Sequence, residues 1–179
     1  MNVKNLRVFF QHIESLKNVK RKGWIIKSDV KEVESVADHS YAATSMAMII
    51  SDLAGTNTEK VMKMMLIHDL PEVIIGDLIP GEDINKDIEE GKAIKNILKN
   101  LPEKMQIEYS EIWKEFKVNK TKEAQLVHEI DKLELIIQLF LYKEFMTEES
   151  FSEFLKSSEK NIKFDLNKKL LREILKENK

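Results

Sequence analysis

The sequence predicts an all-α fold, and three observations carry that expectation. Apolar residues recur at three- and four-residue intervals along much of the 179-residue chain, which is the period of a helix with one buried face. Only five Gly and three Pro interrupt the pattern, too few for the many turns of a β-sandwich. Only residues 25–36 (IIKSDVKEVESV) could hold a short strand.

Each element has its own signal. Leu6, Phe9, Phe10, Ile13 and Leu16 form a stripe expected to be buried on a helix over about 6–16. Residues 17–34, rich in Lys and Val and containing Gly23, read as loop or extended chain. Ser35 and Asp38 are good N-cap types for a helix over about 38–53, which Gly55 stops and whose Ala42, Ala43 and Ala47 permit close packing. Thr58 is a plausible cap for a helix ending near Asp69. Pro71 then opens a short new turn, because proline is tolerated at the first helical position. Gly76-Asp77 and Pro80-Gly81 punctuate the loop that follows. Helices are expected over about 85–99, 103–117 (opened by Pro102), 121–146 and 164–176. Trp113, Phe116, Phe140 and Phe145 fall at helical spacing and are expected in the core or at a dimer contact. The methionines at 46, 48, 62, 64 and 65 read as core filler. No repeat or low-complexity linker divides the chain, so residues 1–179 read as one domain.

Composition excludes several classes. A net charge of −2 lacks the basic excess of a protein that binds nucleic acid polymers. With no Cys there is neither a disulfide nor a thiolate metal site. The opening MNVKNLRVFF lacks the apolar run of a signal peptide. No stretch reaches the roughly 20 apolar residues that cross a bilayer. These features lead to the expectation of a cytoplasmic protein with no membrane partner.

The chemistry-bearing residues are sparse. His39 follows Asp38 at a helix start, and His68 precedes Asp69 after the apolar run 61–67. Adjacent helical residues point about 100° apart, yet both can reach one ion near a helix end. Asp131 shares a helix face with Val127 and Leu135. A carboxylate buried there costs several kcal/mol unless paired, and either a divalent cation or a Lys or Arg can be the partner. Taken singly, each histidine is more often an ordinary core or surface residue. His12 and His128 are read that way, His128 at the surface or a helix interface.

Glu34-Ser35-Val36-Ala37-Asp38-His39, Leu66-Ile67-His68-Asp69-Leu70-Pro71-Glu72, Gly76-Asp77 and Ile130-Asp131-Lys132-Leu133-Glu134 together resemble the HD-domain superfamily. More narrowly they resemble its 5′-deoxynucleotidase group, of the YfbR and HDDC2-like type. The likeness runs over about residues 5–146, and about 147–179 would be a helical extension. It implies a single HD-domain helical bundle in which His39, His68, Asp69 and Asp131 bind a divalent cation: Co, Mn, Mg, Zn, Fe or Ni. It also implies Glu72 as catalytic acid or base, and Asp77 as a contact to substrate or to a second cation. Upstream, Arg21-Lys22-Gly23-Trp24 is similar to an Arg-x-Gly-Trp string of the HDDC2-like members. That similarity implies substrate binding by Arg21, whose fork suits phosphate, and by Trp24. The other reading is a solvated basic loop with Trp24 anchored in the core. The substrate implied is a deoxynucleoside monophosphate, and the assembly a homodimer. Alternatives are another HD-type nucleotide pyrophosphohydrolase or phosphodiesterase, or a non-enzymatic nucleotide-binding protein.

Overall fold

Ten α-helices account for the bulk of the residues described in the computed structural model, which are 2–79, 82 and 85–177. The expected Pro80-Gly81 turn lies outside them. The helices are α1 (Val3–Ser15), α2 (Lys22–Lys27), α3 (Val36–Ala54), α4 (Thr58–Ile67), α5 (Glu72–Ile75), α6 (Lys86–Leu98), α7 (Glu103–Val118), α8 (Lys122–Leu141), α9 (Glu148–Glu159) and α10 (Asp165–Glu177). Short 3₁₀ turns follow α1 and α8. Among the described residues there is no strand, and the segment 25–36 contributes only an isolated antiparallel bridge between Lys20 and Ser35. No helix of the described residues is long and apolar enough to cross a membrane.

Three helices make the frame of the site. α3 starts at a capping box: Ser35 Oγ accepts the Asp38 amide, and Asp38 accepts the Ser35 amide. Two orphan donors of the first turn are thereby satisfied reciprocally. Gly55 ends the helix in the left-handed region at φ 61, a conformation that glycine adopts without a Cβ penalty. Its buried Ala43 and Ala47 let α4 and α8 approach closely. α4 is capped by Asn57 rather than Thr58, an offset of one residue in an equivalent side chain. α8 is the central element, with Leu126, Val127, Ile130, Leu133 and Ile136 fully buried. It packs against α3, α4, α7, α9 and α10.

Three expectations need correction. Residues 17–34 are not all loop, because α2 forms within them. Its first amide, on Lys22, is capped by Asp77 from 55 residues away, so no local signal announces it. The stripe on α1 is only partly buried: Phe9 and Leu16 face the core, while Phe10 is 52% and Ile13 42% exposed. The main contacts of α1 with the body run through α5, α6 and the turn at its end, and the Phe10–Ile13 flank faces outward. The long late helix stops at Leu141 rather than 146, and Phe145 is exposed. A separate helix, α9, then begins at Thr147, whose side chain caps the Ser150 amide. It packs on α8 and closes a second small core around Trp24, Val33 and Leu139.

α10 is held by a charged anchor. Glu129 on α8 is 3% exposed, and its carboxylate accepts the Lys163 amide at 2.7 Å, the Phe164 amide at 3.0 Å and Asn167 Nδ2 at 3.0 Å. Hydrogen bonds to a charged acceptor are worth more than neutral ones, and their loss leaves buried donors unsatisfied. Glu129→Ala is therefore expected to cost about 2–4 kcal/mol, read as a lower urea midpoint. An unchanged midpoint would mean that α10 docks through its apolar face alone.

Candidate metal centre

Pro71 shapes the heart of the site. It lacks an amide and disfavours helical backbone at the residue before it, so α4 ends at Ile67 and His68–Pro71 turn before α5. The turn directs His68 and Asp69 inward, where α3 presents His39 and α8 presents Asp131. His39 Nε2 lies 3.2 Å from Asp131 Oδ1 and 3.8 Å from Asp69 Oδ2, and His68 Nε2 lies 3.0 Å from Asp69 Oδ2. The two imidazole centroids are 5.5 Å apart. Four residues from three parts of the chain thus converge.

Both histidines are oriented from behind. His39 Nδ1 donates to Glu134 at 2.5 Å, and His68 Nδ1 donates to the Met65 carbonyl at 2.6 Å. Each ring therefore turns Nε2 into the cluster, and both Nε2 atoms are buried without a hydrogen-bond partner. Bare imidazole nitrogens facing carboxylate oxygens fit a divalent cation of the borderline class, and a carboxylate or carbonyl behind the ring is the usual way such ligands are fixed. The electrostatics of the cluster point the same way. Burial and Arg21 oppose a charge on His39, yet Asp131 and Glu134 raise it to about 9. Asp69 and Asp131 are held well below the usual carboxylate range despite burial, Asp69 by His68, His39 and Arg21, and Asp131 by Lys132 and the two histidines. The pocket attracts positive charge at that point.

Glu34, His39 and Glu134 form a second set whose ligand atoms lie close together. Here Glu34 Oε1 already accepts Trp24 Nε1 at 2.7 Å, and Glu134 already holds His39. Burial and the neighbouring Glu134 raise the pKa of Glu34. This set supports the first.

The cluster lies at the wall of a cavity of about 810 Å³. Arg21, Glu72, Asp77, Lys86 and Lys132 also line it. Arg21 approaches Asp69 at 3.4 Å and Glu34 at 3.8 Å. Lys132 pairs with Asp131 at 2.9 Å, so Asp131 has the Lys partner foreseen as one option and still faces His39. Glu72 is 5% exposed, with Oε2 buried and unpartnered. Burial, then Asp69 and Asp77, push its carboxyl up to about 10. Asp77 reaches the cavity, but its Oδ2 accepts the Lys22 amide at 2.6 Å.

Trp24 is anchored rather than open. It is 1% exposed, bonded to Glu34, edge-on to Tyr142 and stacked at 4.8 Å on Phe154 of α9. His128 lies outside the cluster, stacked at 4.2 Å on Phe116 with Nε2 at the Phe116 carbonyl. That is the helix-interface role expected for it. Glu134, Lys132 and Phe154 carry parts that the sequence did not assign. Both Glu134 and Lys132 lie in the quoted Asp131 motif: Lys132 pairs with its neighbour Asp131, and Glu134 finds its partner His39 only where α3 meets α8. Phe154 had a usable signal, because Thr147 is followed by Phe151, Phe154, Leu155 and Ser158 at helical spacing.

The sequence pattern of the HD domain family matches residues 13–169, a span that includes α9. The 5′-deoxynucleotidase HDDC2 of Danio rerio is 37% identical over 143 residues, covering 78% of this chain and 70% of that protein. The human protein of the same name is 35% identical over 144 residues, covering 79% and 70%. A conserved hypothetical protein of Pyrococcus furiosus has a solved structure with a TM-score of 0.72 at 35% identity, covering 95% of this chain and 96% of that one.

Proposed function

This chain belongs to the HD-domain family, and from that premise we propose that it is a metal-dependent 5′-deoxynucleotidase, converting a deoxynucleoside 5′-monophosphate and water to deoxynucleoside and phosphate. The observation that carries the reading is the pair of buried, unpartnered Nε2 atoms of His39 and His68, facing Asp69 and Asp131 at the wall of a cavity that also holds basic side chains. The relatives named for that activity supply the substrate class.

His39, His68, Asp69 and Asp131 would hold the cation, which supplies Lewis acidity to a phosphoryl oxygen and acidifies water. Arg21, kept charged by the carboxylates around it despite burial, pairs with the phosphate oxygens. Lys132 and Lys86 add positive charge on the same cavity. Glu72 holds a proton because it is buried beside two carboxylates, and the acid role follows. As the P–O5′ bond breaks, Glu72 delivers that proton to the departing 5′ oxygen. A carboxyl that keeps its proton at neutral pH can serve as a general acid. Asp77 keeps one oxygen on the Lys22 amide and turns the other to the sugar. Trp24 contributes by packing, not by stacking on the substrate.

Glu134→Gln keeps the shape behind His39 but not the charge. It is expected to weaken cation binding by about 10–100-fold, measured by competition with a chromogenic chelator. Equal affinities would remove Glu134 from the account. The activity itself is tested on a panel. With Co or Mn added, phosphate should be released from deoxynucleoside monophosphates, and not from triphosphates or cyclic nucleotides. No release from any monophosphate would overturn the reading. A homodimer is part of the same proposal. Phe10, Ile13, Tyr41, Ile49 and Leu53, all exposed on α1 and α3, would offer an apolar face for it.

A further inference from the structure

We propose that α9 is the base-recognition wall of the site, and that Phe154 is the surface on which the nucleobase stacks; this rests on the nucleotide reading above. The cavity extends from the His68–Asp69 turn to α9, where Phe154, Ser157 and Asn161 line it. The start of α2 ties its two ends together within four residues. Arg21 reaches Asp69 at the cluster, and the ideal Cβ position of Gly23 lies only 3.3 Å from Phe154 Cζ. Trp24, next in sequence, stacks on the same ring at an interplanar angle of 15°. A phosphate held at Arg21 therefore has its sugar and base directed along this segment towards α9.

Three other observations single out Phe154 among the aromatic rings of the cavity. Trp24 is fully buried and already engaged. Phe116 is buried and covered by His128. Phe154 is half-buried: one face rests on Trp24, and the side chain still lines the cavity. A base seated there would extend a Trp24–Phe154 stack. Such stacking is tolerant of base identity, because every base has a π-face. Ser157 and Asn161 line the same wall.

The test compares two 5′-phosphomonoesters that share the sugar, deoxyadenosine 5′-monophosphate and 2-deoxyribose 5-phosphate. Phosphate release is followed with metal-replete protein, and the ratio of kcat/KM values is the readout. Phe154→Leu keeps an apolar side chain over Trp24 but removes the π-face. It should lower the ratio about 10-fold, through KM for the nucleotide. Phe154→Tyr should hold the ratio within about twofold, since the ring remains. Gly23→Ala displaces the ring without changing it and should lower the ratio in the same direction as Phe154→Leu, which covers the case of a Leu variant that does not fold. An unchanged ratio in both Phe154→Leu and Gly23→Ala overturns the proposal while leaving the nucleotidase reading intact. A wild type that hydrolyses neither ester overturns the nucleotidase reading first.

Discussion

Asp131→Ala should lose its divalent cation and with it nearly all turnover. Bound metal, measured by elemental analysis after gel filtration, is expected to fall from about one equivalent to less than a tenth of that. The expected loss in kcat/KM is on the order of 10³-fold or more. More than one ligand is at stake. Asp131 faces His39 on one side and neutralises Lys132 on the other. Removing it leaves Lys132 unbalanced beside the pocket and takes one nearby carboxylate from Arg21, which keeps Asp69 and Glu34. At an effective dielectric near 20, a charge about 4 Å away is worth about 4 kcal/mol, so the unbalanced Lys132 would oppose a dication strongly. Asp131→Asn separates the two contributions, since it retains an oxygen donor while losing the charge. It should bind metal more weakly than the wild type and better than the alanine variant. Full metal content in Asp131→Ala would exclude Asp131 from the ligand set.

Glu72→Gln should retain the cation and lose the chemistry. The amide matches the carboxyl in shape but cannot deliver its proton, and general acid catalysis contributes about 10²–10⁴-fold. kcat on a deoxynucleoside monophosphate is expected to fall by about that factor, with metal content unchanged. The effect should depend on the leaving group. An alkoxide needs the proton, whereas a nitrophenolate departs without it, so p-nitrophenyl phosphate should be hydrolysed almost as fast by the variant as by the wild type. The sign of the pH dependence follows from the direction of the shift. Glu72 is raised, so its acid form persists through neutrality and is lost as pH rises through its pKa. Wild-type kcat should decline on the alkaline side, and Glu72→Gln should lack that limb. Equal losses on both esters would instead make Glu72 a base or a positioning group.

The sequence spoke most clearly where the signal was local. The capping box at Ser35 and Asp38, the break imposed by Pro71 and the apolar spacing of α8 all act within a few residues, and each is present in the fold. The convergence of His39, His68, Asp69 and Asp131 follows from those elements, once the family pattern orders them. What escaped depends on distant parts of the chain. α2 needs Asp77 to cap it, and the orientation of His39 needs Glu134 on another helix. Phe10 and Ile13 show the converse error. Their spacing suits a buried stripe, but burial requires something opposite, and α1 has neighbours on only part of its surface. Trp24 had two readings from sequence, and its bond to Glu34 with the stack on Phe154 favours the core anchor. α9 was within reach of its cap and apolar spacing. It falls inside the helical extension expected over about 147–179, and it supplies one wall of the cavity.

One cation should sit among His39, His68, Asp69 and Asp131 with the substrate phosphate beside it. Anomalous diffraction at the manganese edge, from crystals of the Glu72→Gln variant soaked with Mn and deoxyadenosine monophosphate, tests it most directly. A peak is expected within coordination distance of both Nε2 atoms and of the Asp69 and Asp131 carboxylates, with the phosphate directed towards Arg21. A peak in the Glu34–His39–Glu134 set instead, or a nucleotide bound with no peak in the cavity, would contradict it.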